Sequence, residues 1–443
     1  MFKRTTTPTR IPDRLSYIWL AIAAALFVFA SGQWAIPLAA WLAPLFLLRF
    51  VRTQRPLPGL LLAWLVRFVI ATILLQGILL YPGYLYYPFV LLLTLVTMIP
   101  YLADRLITPR LNGFVATLVF PLAVTSLEYL SSFGPFGTMN SIAYSQYGDL
   151  PLMQVVSVTG IWGITFLIAW FAAVVNWAWE RGFAWPRIRG GALLYAAILV
   201  VVFLGGSARL ALFPPQATSV RIAGISASQA TVAAFNQQLP QATLSLLESG
   251  KATPADRALA HSAFTILDDD LLARSQQEAR AGAKIVVWPE ASPVGANILQ
   301  EDEPALIQQA GALARESGIY LDMGLGVFLP DVGKGPFLKD EAVLLDPTGH
   351  VVWIYEKTHP APGEQGLFVP GNGKVPIVNS PYGRLANVIC FDADYPGTVR
   401  QAGQSGADLL LVLGDDWQAI DPAHTENATF RAIENGFSEV RQA

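Results

Sequence analysis

Two hydrophobic patterns divide this 443-residue chain. Residues 1–212 hold long apolar blocks built from Leu, Ala, Phe, Trp, Val and Ile, with few charges. A bilayer core takes about 20 apolar residues per helix, with a range of roughly 17–25. Seven blocks are candidates: 17–30, 34–50, 60–80, 85–102, 111–130, 153–179 and 191–205, the first and last being short. Turn chemistry separates them, as in Arg55-Pro56-Leu57-Pro58, Tyr81-Pro82-Gly83 and Phe133-Gly134-Pro135-Phe136-Gly137. The pattern predicts a multi-pass α-helical membrane bundle over 1–212. Its first block reads as a retained anchor, because no cleavage site stands out.

After Phe213-Pro214-Pro215 the pattern shortens. Strand-like runs fall at 220–223, 284–288, 319–327, 385–389 and 409–413, and a hairpin at 342–346 and 350–356 turns around Pro347-Thr348-Gly349. Helical spacing covers 255–281, 303–317 (closed by Gly318), 397–405 and 424–440. Such alternation predicts an α/β domain over 216–443, a sheet flanked by helices.

Charge adds an orientation. Lys3, Arg4, Arg10 and Arg14 are followed on the same side by Arg49, Arg52 and Arg55, then Arg105 and Arg110, then Arg181, Arg187 and Arg189. The intervening loops around 31–33, 81–84 and 131–152 carry no Lys or Arg. Positive-inside asymmetry then puts the N-terminus in the cytoplasm, and seven crossings put the second domain on the outer side. Arg67, inside the third block, is expected to face the bundle or a wet cavity, as a structural pair or a functional group. The loop 131–150 reads either as a connection or as a segment shaping lipid entry. A net charge of −3 gives no reason to expect nucleic acid, and one cysteine cannot form an internal disulfide.

Three residues just past strand-like runs carry the candidate chemistry: Glu290, Lys357 and Cys390. A thiol at a strand tip, exposed at a sheet edge on rigid backbone, is placed like a nucleophile. With a pKa of ~8.5 a free thiol is only about 3% thiolate at pH 7. A carboxylate can take its proton, and an ammonium can stabilise the thiolate and a later oxyanion. A raised carboxylate pKa would help return the proton to a leaving group. Covalent acyl transfer is the chemistry these three permit.

The segments Val286-Val287-Trp288-Pro289-Glu290, Tyr355-Glu356-Lys357-Thr358-His359 and Asn387-Val388-Ile389-Cys390 resemble the three motifs of the nitrilase, or carbon-nitrogen hydrolase, superfamily. That resemblance implies a Glu–Lys–Cys triad in an α-β-β-α sandwich. Joined to a membrane half, it is similar to the apolipoprotein N-acyltransferases of the bacterial inner membrane. Pro362-Gly363-Glu364, Phe368-Val369-Pro370-Gly371-Asn372-Gly373 and Gly134-Pro135-Phe136-Gly137 are similar to that family's loops. The resemblance implies a phospholipid acyl donor, a thioester on Cys390, and transfer to the N-terminal amine of a diacylglyceryl-modified lipoprotein. Glu290 would be base and acid, Lys357 the oxyanion partner, and Glu364 an orienting group. It implies a monomer among membrane lipids, with no metal or organic cofactor.

Some positions differ from the family. Phe391-Asp392 stands where Tyr-Glu is usual, leaving the pair a supporting or substrate-binding role with altered chemistry. The loop from Lys357 to Glu364 is one residue shorter. No tryptophan lies between Ile225 and Trp288. The helical pattern near Arg441 is not followed by the usual further strands, so the expectation is either a catalytic domain truncated at its C-terminus or a sheet completed differently; a missing edge strand would leave an unpaired sheet edge. The residues leave two other readings open: a membrane-tethered amidase or acyltransferase for a different amine, and an inactive lipid-binding member.

Overall fold

The computed structural model describes residues 15–79, 81–214, 219–330 and 335–443. Lys3, Arg4, Arg10, Arg14, Leu80 and Pro215 of the sequence reading lie outside the described residues. The chain divides into two compact units, Met1–Ser131 with Asn140–Pro214, and Ser132–Met139 with Pro215–Ala443.

In the first unit every apolar block carries helix: Ser16–Val28, Pro37–Thr53, Pro56–Leu74, Gly83–Val96, Val119–Ser131, Trp162–Trp179 and Trp185–Leu212. Among the described residues four helical stretches are long and apolar enough to cross a membrane: Pro56–Leu74, Gly83–Arg110, Trp162–Trp179 and Trp185–Leu212. Two expected blocks are interrupted. The fourth breaks before Ile99–Ile107, because Pro100 has no N–H for the Val96 carbonyl and its ring crowds it. The sixth becomes a long helix only from Trp162, since Gly160, at φ 64°, ends the turn Val156–Thr159.

Several charged groups in this unit are paired. Arg52 donates to both Asp104 carboxylate oxygens at 2.8 and 2.6 Å. Arg105 donates to the carbonyls of Arg52 and Gln54 at 2.8 and 2.9 Å, helix-end acceptors that lack an intrahelical donor. The Arg67 guanidinium lies 4.0 Å from the Phe27 ring centroid, a cation–π contact inside the bundle.

The described residues of the second unit form ten strands: β1 (Ile222–Gly224), β2 (Ile285–Val287), β3 (Ala296–Leu299), β4 (Tyr320–Phe328), β5 (Leu338–Leu345), β6 (Val351–Glu356), β7 (Ile377–Ser380), β8 (Gly383–Ile389), β9 (Leu409–Leu413) and β10 (Ser438–Gln442). One sheet runs β1-β2-β4-β5-β6 with β3 also on β4, and the other runs β10-β9-β8-β7. Strand periodicity sorts the side chains by face. Ile285, Val287, Leu344, Leu385, Leu409, Leu411 and Leu413 meet in the core between the sheets. Val286 and Leu321 face Leu271, Leu306 and Ala310 of the helices Pro254–Arg280 and Glu303–Ser317. Val388, Leu410 and Val412 face Val399 and Ala402 of Pro396–Gln404. These layers make the α-β-β-α sandwich that the resemblance implied. Asn387 on β8 donates to Asp322 on β4 at 2.6 Å, a buried hydrogen bond between the sheets.

The structure corrects the reading of the last segment. The helix expected over 424–440 is Ala423–Asn435. Gly436, at φ 76°, takes the left-handed conformation that closes a helix. The chain then forms β10, which pairs in parallel with β9 from Ser438↔Leu409 to Gln442↔Leu413. The sheet thus continues past β9 to β10, which forms its edge. The short helices Gln229–Gln238 and Gln241–Glu248 and the strands β3 and β7 were not read from the sequence.

Candidate active site

Glu290 follows β2 through Trp288 and Pro289. Trp288 is fully buried and its Nε1 donates to Ser275 Oγ on the long helix at 2.9 Å. The Glu290 N–H donates to the Gly414 carbonyl at 3.1 Å, tying this turn to the end of β9. On β4, Gly324 lets the turn pass, since a Cβ there would strike the Pro289 carbonyl. Lys357 follows β6. Its N–H donates to the Asp340 carbonyl at 2.9 Å, and its own carbonyl accepts from Gly371 N at 2.9 Å. Cys390 opens a 3-10 turn, Cys390–Asp394, directly after β8. Its φ is 45°, a conformation uncommon for a residue with a side chain.

Glu290, Lys357 and Glu364 are in direct contact. Lys357 Nζ lies 2.5 Å from Glu290 Oε1, 3.0 Å from Glu364 Oε2 and 3.5 Å from Asp340 Oδ2. The lysine side chain is 1% exposed and that of Glu290 4%. Glu364 Oε2 also accepts from Ala361 N at 2.7 Å, so it fixes its own loop as well as the ammonium. The Cys390 thiol interacts with the Glu290 carboxylate. Contrary to the exposed position expected from the sequence, Cys390 is buried at 4% exposure. β8 is flanked by β7 and β9 rather than lying at an edge, and the 3-10 turn that follows it is buried throughout.

Electrostatics follow from burial and pairing. Burial pushes the Glu290 carboxyl up, but Lys357 and hydrogen bonds from Asp340 and Lys357 outweigh it, so its pKa is lowered. The raised carboxylate expected from the sequence is not found, because the ammonium sits against it. Burial and then the Glu290 charge hold the Asp340 carboxyl well above its usual range. Of the two carboxyls, Asp340 is thus the harder to ionise. Burial lowers Lys357, yet Glu290 and Glu364 override it and keep the ammonium charged. Burial and the Glu290 charge push the Cys390 thiol up. The resting pair is a neutral thiol beside a carboxylate that can receive its proton.

Asp392 is fully buried and holds the site together. It accepts from Tyr355 Oη at 2.7 Å, His359 N at 2.8 Å, Thr358 N at 3.2 Å and Ile389 N at 3.3 Å. The residues after Lys357 are thereby tied to the nucleophile turn. Burial outweighs these bonds and leaves its pKa raised to about 6. Phe391 is 2% exposed and packs on Tyr395 and His424. Thr138 N and Oγ1 both donate to the Asp394 carbonyl, at 2.9 and 2.8 Å. The loop residues Ser132–Met139 belong to this unit.

Sequence reasoning missed a second cluster. His424 joins Asp416 through Nδ1 at 2.8 Å and Asp394 through Nε2 at 2.7 Å. Arg441 Nη2 donates to Asp416 Oδ1 at 2.8 Å and lies 4.0 Å from Cys390 Sγ. Donor atoms of Cys390, Asp416 and His424 fall within 4.8 Å of one another, a spacing that could suit a metal. Both imidazole nitrogens are engaged by carboxylates, however, and Asp416 is engaged by a guanidinium. The cluster is an ion-pair network rather than a ligand set. Asp415-Asp416 just past β9 was the available signal, the same strand-end rule that found Glu290. Asp340, within the charged run Lys339-Asp340-Glu341 near the start of β5, before its apolar end, was another.

Comparison with known proteins decides the family. Residues 238–437 match the carbon-nitrogen hydrolase family model, and residues 23–174 match the apolipoprotein N-acyltransferase N-terminal domain. The chain belongs to the apolipoprotein N-acyltransferase family. It is 27% identical over 410 residues to an apolipoprotein N-acyltransferase of Geobacter metallireducens, covering 86% of this chain and 70% of that protein. It is 27% identical over 364 residues to one of Bradyrhizobium diazoefficiens, covering 74% of this chain and 62% of that protein. The nitrilase part alone is 32% identical over 168 residues to a deaminated glutathione amidase of Mus musculus, covering 34% of this chain and 52% of that protein. In this member of the N-acyltransferase family, Glu290, Lys357 and Cys390 come from the ends of β2, β6 and β8, so both sheets contribute to the cluster.

Proposed function

We propose that this protein moves a fatty acyl chain from a phospholipid, through a thioester on Cys390, to the N-terminal amine of a diacylglyceryl-modified apolipoprotein. One observation carries the reading: the chain joins an N-acyltransferase membrane domain to a carbon-nitrogen hydrolase domain that holds a buried cysteine beside Glu290 and Lys357.

Glu290 takes the thiol proton as Sγ attacks the ester carbonyl. Lys357 stabilises the oxyanion of the tetrahedral adduct. As the adduct collapses, the ester C–O bond breaks and Glu290 returns the proton to the departing lysophospholipid oxygen. The amine then attacks the thioester and gives a proton to Glu290, and the thiolate leaves. Glu364 holds the ammonium in place, and Asp392 joins its loop to the nucleophile turn. The lowered pKa of Glu290 keeps the carboxylate ionised and ready to accept the thiol proton, although it makes it a weak base. Its protonated form is transient and gives up its proton readily.

A transferase must protect its thioester from water until the amine arrives. The burial of Cys390 supports this over hydrolysis. After loading with phospholipid and removal of the donor, intact-protein mass spectrometry should show a lasting acyl adduct on Cys390. A diacylglyceryl-cysteinyl peptide should discharge it as N-acyl peptide. Rapid release of free fatty acid, indifferent to that peptide, would instead identify a membrane-tethered hydrolase.

The reading also requires the catalytic unit on the outer side of the bacterial inner membrane, after seven crossings with the N-terminus inside. Loop charge supports this orientation. A reporter active only after export should work when fused after Ala217. Cytoplasmic activity of that fusion would overturn the topology.

A further inference from the structure

We infer that Arg441 is a catalytic residue of this site, a second cation that touches the Cys390 sulfur and stabilises it as the thiolate. This rests on Cys390 being the nucleophile. Lys357 cannot easily fill the role alone. Its ammonium is bonded to both Glu290 and Glu364, with Asp340 at 3.5 Å. Its single charge is already matched by two carboxylates. Arg441 is differently placed. Its guanidinium is 3% exposed and forms a salt bridge with Asp416. Nη2 reaches the sulfur at 4.0 Å. Nη1 is buried and has no hydrogen-bond partner among the described residues. A guanidinium carries five N–H donors and stays charged at every working pH, so this one retains donor capacity that the fold does not consume.

The backbone explains its position. β10 pairs in parallel with β9, with Arg441 opposite Val412. Just beyond β9, a Cβ at Gly414 would lie 2.8 Å from Arg441 Nη2, so glycine leaves the guanidinium its room. Asp416 holds it there through Oδ1 and Oδ2, at 2.8 and 3.3 Å. When the thiol proton passes to Glu290, the sulfur's new charge arises beside this cation. The charged and titratable groups around the thiol are Glu290, Lys357, His424, Asp416 and Arg441. Those around Arg441 are Cys390, Asp416, Glu439 and His424.

The test is the pH dependence of Cys390 alkylation by iodoacetamide, measured on the full chain in detergent. An opposite charge within ~4–6 Å lowers the pKa of an acid by about 1–3 units. Arg441→Gln should therefore raise the midpoint by at least about one unit and slow alkylation at pH 7 by about tenfold or more. The plateau at high pH should stay unchanged. Arg441→Met, neutral and of similar reach, should behave alike and serves if the glutamine variant does not fold. Arg441→Lys should move the midpoint back toward wild type, a rescue that a purely structural role would not give. An unchanged midpoint in either neutral variant, with a reactive cysteine, overturns the inference. A wild-type cysteine that no alkylating agent reaches at any pH would overturn the nucleophile assignment itself.

Discussion

Cys390→Ala yields no acyl-enzyme and no N-acylated product, a loss to background. The chain has one cysteine, so a thioester has no other site. Cys390→Ser should also fail to form a thioester. Its hydroxyl, much weaker as an acid, would meet a carboxylate whose pKa is lowered by Lys357 and which is therefore a poor base for it. Mass spectrometry after incubation with phospholipid reads both variants. A Cys390→Ala protein with wild-type transfer would end the covalent mechanism.

Lys357→Ala is expected to act on rate and on stability together. Loss of an oxyanion donor costs about 10²–10³ in rate elsewhere, and single-turnover acylation should fall by that order. The stability effect follows from burial. Removing the ammonium leaves Glu290 and Glu364 without their shared partner, with Asp340 beside them. Breaking a buried ion pair from one side costs about 3–5 kcal/mol. A clear fall in Tm should accompany the rate loss. Acylation within tenfold of wild type in a folded Lys357→Ala protein would remove the lysine from the mechanism.

How far the sequence led depended on whether a signal was local. Glu303–Ser317 matched its expected bounds because a left-handed Gly318 closes it. β9 matched too, as a five-leucine/valine run bounded by polar residues. Glu290, Lys357 and Cys390 were legible because each is a reactive side chain at the end of an apolar run. β3 and β7 have four residues each, too few for periodicity to stand out. β10 was read as helix because Phe437 and Val440 also fit a helical stripe, and only Gly436 marks the break. Arg441 and His424 were not legible as part of a site, and of that cluster only Asp416, past the end of β9, carried a local signal. Their meeting with Cys390 depends on β10 pairing with β9 beside β8, a contact between segments far apart in sequence. The burial of the thiol was missed for a related reason: a strand-end position says nothing about what packs around it in the fold.

The backbone at Cys390 bears on whether the protein works as an enzyme at all. A side chain held at positive φ costs on the order of 1–3 kcal/mol, whereas glycine adopts that conformation freely. For folding alone, position 390 would favour glycine. A lineage that kept the protein only as a lipid-binding scaffold would gain robustness from that single change and lose nothing it used. Cysteine at this kink is a standing trade of stability for reactivity, and it marks the residue by which drift away from catalysis would first be recognised.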